Sequence, residues 1–211
     1  MKGILSLLKM KTRGDKPRDE HTDSVLFSTA FAGQGVDDSM LVPWEARAVE
    51  VGAKRLPTSR GGKLLQGLWA KDKYMAHLDK DAVERMERFF EFAAVPSNRD
   101  VIRQDEYGNF MVVLLTGTIA VDRVQPWGEQ LRLAETRPGD ILGEMSLLDS
   151  GIRFSACTTL TDCEIAVLSA EAMDDMMTKD PQLAASLIAL LARKLSLRLR
   201  VVSARLSDNN K

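Results

Sequence analysis

Cysteine and histidine are scarce in this chain of 211 residues, with two of each. Cys157 and Cys163 cannot build a disulfide framework, and nothing upstream of them reads as a secretory signal. Six residues apart on expected strands, they are more simply core residues than metal ligands. His21 and His77 both fall outside the one segment with a chemical signature, which leaves a histidine-based triad or relay without support. Long apolar runs are missing too. Gly3–Met10 is too short to cross a bilayer, and no later stretch approaches the ~18 uninterrupted apolar residues that a spanning helix needs. No transmembrane segment is expected, and the location implied is cytoplasmic. Net charge is nearly absent, at −1, so bulk electrostatics suggest no polyanionic partner. That average conceals a gradient. Residues 1–70 carry eleven Lys/Arg against eight Asp/Glu, residues 181–211 carry six against one, and the middle carries twelve against twenty-one.

The chain divides near residue 70. Residues 1–70 are expected to form an N-terminal arm, partly disordered, because Gly33, Gly35, Pro43, Pro57, Gly61 and Gly62 interrupt apolar residues that follow neither helical nor strand period. Short ordered pieces are expected around Met40–Val51 and Leu64–Trp69. Met1–Lys11 has an amphipathic look, which fits a frayed terminus better than a contact surface. Residues 71–211 are expected to form the folded domain. Asp81–Phe92 has helical spacing in Val83, Met86, Phe89 and Phe90. Short strands follow, with Phe110–Leu115 apolar throughout, a break at Gly117, a turn at Gln125–Gly128, and alternation over Cys163–Leu168. Ser169 caps a short helix, Glu171–Thr178, and Pro181 opens a long one to about Leu206. That last helix carries apolar residues on two faces, one with Leu183, Leu187, Leu190, Leu197 and Val201, the other with Ile188, Leu191, Leu195, Leu199, Val202 and Leu206. One stripe suffices to cover a domain, so the second predicts packing against another copy, a homodimer.

The segment that carries chemistry runs Pro138-Gly-Asp-Ile-Leu-Gly-Glu-Met-Ser-Leu-Leu-Asp-Ser-Gly-Ile-Arg153. A tight turn leads into a buried strand end, Gly143 allows close backbone approach, and Glu144 opens a short helical turn whose first N–H groups are available to an anion. Nine residues after Glu144, Arg153 can supply a planar clamp for a phosphate. A carboxylate beside an anion site makes sense where the ligand also has hydroxyl donors, as a ribose phosphate does. A lone Glu/Arg pair would read as a salt bridge across a loop, but the sixteen-residue pattern argues for a site.

This segment resembles the phosphate-binding cassette of cyclic nucleotide-binding domains, the family of the catabolite activator protein and the regulatory subunits of protein kinase A. The resemblance covers residues 75–207 and rests on Gly117, the Pro-Gly-Asp turn, Gly143-Glu144 and Arg153. It implies an α+β fold: a cyclic nucleotide-binding β-roll (double-stranded β-helix or jelly roll) with a lead helix and two C-terminal helices. It implies that Glu144 accepts the ribose 2′-hydroxyl, that Arg153 and the N–H groups of Met145 and Ser146 hold the cyclic phosphate, and that Leu142 and Gly143 line the floor. Two departures stand out. The position after the arginine, usually small, is Phe154, followed by Ser155; an outward ring leaves the pocket open, an inward one crowds it. The proline usual before the arginine is Ile152, leaving the loop less stiff. Where activator-like members present small hydroxyl residues to adenine, this chain has Arg198 and Leu199. Arg198 is either a solvated helix charge or a cap on the base, and arginine donors suit guanine O6 and N7 better than adenine.

The function expected is a non-enzymatic sensor of a cyclic nucleotide, cAMP or cGMP, that regulates an unidentified effector protein through movement of the C-terminal helix. No catalytic residue, metal or cofactor is expected. The alternatives are a degenerate fold serving as a protein-interaction module and a cyclic dinucleotide receptor. DNA is not an expected partner, since the sequence after Leu206 offers no room for a DNA-reading helix. Gly61-Gly62-Lys63 lacks the first Gly and the Ser/Thr of a phosphate-binding P-loop, with Pro57 and Leu64 in those places.

Overall fold

The computed structural model describes residues 26–76 and 78–208, so Met1–Lys11 and both histidines lie outside the described residues. Among the described residues nine strands form two antiparallel sheets. Strands β1 (Lys54–Arg55), β2 (Glu91–Val95), β4 (Phe110–Thr116), β7 (Ile141–Leu142) and β9 (Cys163–Ser169) make the larger, in the order β1-β2-β9-β4-β7. Strands β3 (Asp100–Ile102), β5 (Ile119–Val124), β6 (Gln130–Glu135) and β8 (Ala156–Thr159) make the smaller, in the order β3-β8-β5-β6.

The unbroken apolar run of β4 follows from burial on both faces. Phe110, Val112 and Leu114 belong to the cluster enclosed between the sheets, with Ile102, Ile119, Leu142 and Cys157. Met111, Val113 and Leu115 belong to a second cluster, where the larger sheet meets the helices. Strand β6 is exposed at every residue and pairs only with β5, so it is the edge of the smaller sheet.

The helices are α1 (Ala30–Gly33), α2 (Trp44–Val51), α3 (Thr58–Trp69), α4 (Lys80–Glu87), α5 (Glu144–Asp149), α6 (Ala170–Lys179) and α7 (Pro181–Asp208). Local chemistry sets several ends: Asp79 caps α4 by accepting from the Ala82 N–H at 2.6 Å, and Ser169 caps α6 by accepting from Ala172 at 3.1 Å. The lead helix stops earlier than its periodicity predicts. Residues 91–95, expected in part to be helical, are strand β2, because Glu91 through Val95 pair with Val167 through Cys163 of β9. The ladder to β9 outweighs a helical spacing that Phe89 and Phe90 satisfy equally well from a turn.

Residues 26–70, expected within a partly disordered arm, are short helices and a strand packed into the two clusters. Phe27, Leu56, Leu65 and Trp69 enter one, Trp44 and Val51 the other. Each piece supplies one or two anchors, too few to register as periodicity. Gly61 and Gly62 lie inside α3, where a Cβ would strike Phe92 and Glu87, so that glycine pair serves close helix packing. The backbone N–H groups of Leu26, Phe27 and Ser28 donate to the Asp174 carboxylate at 2.8, 2.8 and 2.9 Å, tying this segment to α6. Helix α7 divides along its length rather than around it. Leu183, Ala184, Leu187, Leu190 and Leu191 are buried, whereas Leu197, Leu199, Val201, Val202 and Leu206 are exposed. Among the described residues no helix is long and apolar enough to cross a membrane.

Candidate functional site

The cassette begins where β7 ends. Gly143 adopts φ +74° and turns the chain from the sheet into α5, and Ser150, at φ +56°, ends that helix. The returning strand is locked to the turn between β3 and β4: the Arg153 N–H donates to the Glu106 carbonyl at 2.7 Å, and its own carbonyl accepts from Asp105 at 2.9 Å. The Arg153 side chain is thereby directed into the roll.

There the guanidinium is 3 % exposed. Its Nη1 donates to the Gly143 carbonyl at 2.7 Å and its Nη2 to the Phe110 carbonyl at 2.6 Å, with the Phe110 ring centroid 4.7 Å away. Two glycines make the room. A Cβ on Gly143 would lie 2.5 Å from Nη1, and one on Gly108 would lie 2.7 Å from Nε and Nη2. Among the described residues Arg153 forms no ion pair; its contacts are neutral carbonyls. Burial pushes its pKa down to about 10, which still leaves it charged at neutral pH.

Glu144, the first residue of α5, is 3 % exposed. Its carboxylate pairs with Arg198, which reaches across from α7 and also donates through Nη2 to the Ile141 carbonyl at 2.8 Å. Burial pushes the Glu144 carboxyl up from its ordinary range, and the Arg198 charge opposes that push without cancelling it. One turn earlier on α7, Lys194 reaches Asp72 at 3.2 Å and the Gly139 carbonyl at 3.5 Å.

The remaining sequence-derived positions separate by depth. Leu142 faces the cluster between the sheets and Ser146 is buried, whereas Met145 is 46 % exposed and Ser155 half-buried. The Phe154 ring is 51 % exposed under the Arg123 guanidinium, 4.0 Å from the ring centroid, and Arg123 also donates to the Phe154 carbonyl. Of the two orientations open for Phe154, the structure shows the ring against Arg123 at the surface. Arg198, its side chain 48 % exposed, is paired with Glu144.

Sequence reasoning missed the backing of the cradle. Trp44 of α2 packs edge-on against Phe110 at 5.6 Å. Arg47, on the same helix and 1 % exposed, pairs with Glu50 at 2.5 Å and with Glu106, whose carbonyl holds the Arg153 N–H. Arg103 joins the same two carboxylates. No local signal marks Gly108 or the tie from Arg47 to the Glu106 turn, because the residues concerned lie 45 and 59 positions apart.

Residues 93–180 match the family model of the cyclic nucleotide-binding domain. The fold is that of cyclic nucleotide-binding domains. Over 107 residues it is 31% identical to the cyclic AMP receptor protein of Thermus thermophilus, covering 51% of this chain and 50% of that protein. Over 100 residues it is 28% identical to a CRP-like cAMP-activated global transcriptional regulator of Mycobacterium tuberculosis, covering 47% and 45%. The chain thus spans about half the length of the curated relatives it matches. The solved cyclic nucleotide-binding domain from Methylobacillus flagellatus superposes with a TM-score of 0.67 at 22% identity, over 72% of this chain and 86% of that one. The Thermus thermophilus catabolite activator protein superposes with a TM-score of 0.54 at 28% identity, over 63% of each. The expected α+β architecture, antiparallel sheets with a lead helix and two C-terminal helices, is the one observed, and it is not a closed barrel. Within the domain, the cassette and both its charged residues fall inside the matched span, while Arg198 and α2 lie outside it.

Proposed function

We propose that this chain is a non-enzymatic sensor of a cyclic nucleotide, cAMP or cGMP, bound in the cassette. The observation that carries the reading is Arg153, a buried guanidinium in a cradle cleared by two glycines and held by carbonyls alone, beside the buried carboxylate of Glu144. Carbonyl dipoles compensate a buried charge incompletely, and the monoanionic phosphate of a cyclic nucleotide would do so better. Glu144 would accept the ribose 2′-hydroxyl, with Leu142 and Gly143 beneath and the N–H groups of Met145 and Ser146 beside the phosphate. Phe154 and Ser155 would form the outer rim. The relatives named for cAMP support that ligand class. The exposed distal half of α7 suits a homodimer contact, and its movement would signal to an effector protein.

A second reading has an observation of its own. Both charged residues already have partners within the fold, two carbonyls for Arg153 and Arg198 for Glu144, as they would in a protein-interaction module that binds no nucleotide. Calorimetric titration of the full chain with cAMP, cGMP and cyclic diguanylate separates the readings. Micromolar or tighter binding of a mononucleotide supports the sensor, preference for the dinucleotide redefines its ligand, and silence from all three favours the module. Arg153→Ala should weaken binding well over tenfold with the circular dichroism spectrum intact; unchanged affinity would remove Arg153 from the site.

A further inference from the structure

Resting on the nucleotide reading, we propose that Arg198 is a tethered occupant of the Glu144 subsite, which a ligand's ribose hydroxyls must displace. The Arg198 guanidinium sits on one oxygen of a Glu144 side chain that is only 5 % exposed, so a hydroxyl bound to that oxygen must compete with it. Arg198 does not act alone. It holds Ile141 and Glu144, and Lys194, four residues earlier on the same helix, holds Gly139 and Asp72. Two cations one turn apart therefore clamp α7 across the 139–144 stretch that leads into the cassette. Beyond the clamp Leu199, Val201, Val202 and Leu206 are exposed, so among the described residues it is the last attachment of α7 that the structure records. Displacing Arg198 thus loosens the distal helix, and ligand affinity is reduced by whatever fraction of molecules keeps the clamp shut.

The test compares the full-length protein with Arg198→Gln, and with Arg200→Gln as a control at an exposed position two residues on. Hydrogen exchange of the ligand-free proteins is read over residues 194–206, and cAMP and cGMP affinity is read by calorimetry. The clamp predicts faster exchange there in Arg198→Gln only, and affinity for the preferred nucleotide raised roughly fivefold or more. Unchanged exchange overturns the clamp. Weakened or unchanged binding overturns the competition, and weakened binding makes Arg198 a ligand contact instead. If neither wild type nor Arg198→Gln binds a nucleotide, the sensor reading fails, and the clamp stands or falls on exchange alone.

Discussion

Among the described residues Arg47 and Arg153 are the two arginines buried to within 3 % of full enclosure, and they are compensated in opposite ways. Arg47 sits between two carboxylates, Glu50 and Glu106, with Arg103 closing a four-charge cluster around them. Arg153 is held by two carbonyl oxygens and a ring face. A charge neutralised by its own fold has little left to offer a ligand, so Arg47 reads as scaffold: it fixes α2 to the Glu106 turn, which in turn fixes the Arg153 backbone. A buried charge that hydrogen-bonds to dipoles alone, and whose neighbouring carboxylate Glu144 is already paired with Arg198, retains much of its attraction for an anion. The same side chain at similar depth is structural in one place and poised for binding in the other, and the difference lies in the partners.

The largest effect should come from destroying the space on the Arg153 side. In Gly143→Ala the new Cβ would meet Arg153 Nη1 at 2.5 Å, Ile102 at 2.9 Å and the Phe110 carbonyl at 3.2 Å, at a backbone φ of +74°. Left-handed strain and overpacking together should cost roughly 2–5 kcal/mol, read as a fall in the chemical-denaturation midpoint. A midpoint within error of wild type would mean that the cradle is loose and that Arg153 is not held as described.

Replacing each arginine with methionine sharpens the contrast next. Arg47→Met leaves Glu50 and Glu106 with the half-exposed Arg103 as their remaining cation, and because both carboxylates are partly exposed the loss should be moderate, about 1–3 kcal/mol. Arg153→Met removes a buried charge that forms no ion pair, so stability should change by less than ~1 kcal/mol or even rise, while nucleotide binding disappears. Equal destabilisation by both substitutions would erase the distinction between scaffold and site.

How much of this could be read in the sequence depends on range. The cassette was legible because its turn, glycine, carboxylate and arginine fall within sixteen residues, and the two-faced burial of β4 and the Ser169 cap are equally local. Pairings between distant residues left no trace. Arg198 meets Glu144 across 54 positions and Arg47 meets Glu106 across 59, so periodicity could place Arg198 on a helix without showing what it touches. The end of the lead helix is ambiguous in the sequence because Phe92 fits a helical stripe and a strand alternately facing the core, and only its β9 partner decides. The two apolar faces of α7 were visible, but that one half is buried and the other exposed depends on where the domain ends beneath it.

The smallest effect, and the most specific, concerns pH. Burial raises the Glu144 carboxyl above its ordinary range in the folded state, even with Arg198 against it. Between its ordinary and its raised pKa the folded protein therefore holds a proton that the unfolded chain has released. Stability contributed by the protonated carboxyl is complete below the ordinary value and declines as pH climbs through the raised one. Arg153 gives no slope in that range, because its pKa of about 10 keeps it charged throughout. Glu144→Gln should flatten this part of the curve, measured as the urea midpoint from mildly acidic to neutral pH, whereas Arg153→Met should leave its shape alone. A wild-type curve that instead rises with pH across that window, and loses the rise in Glu144→Gln, would show that the Arg198 charge outweighs burial, making the pair as fully compensated as the Arg47 cluster.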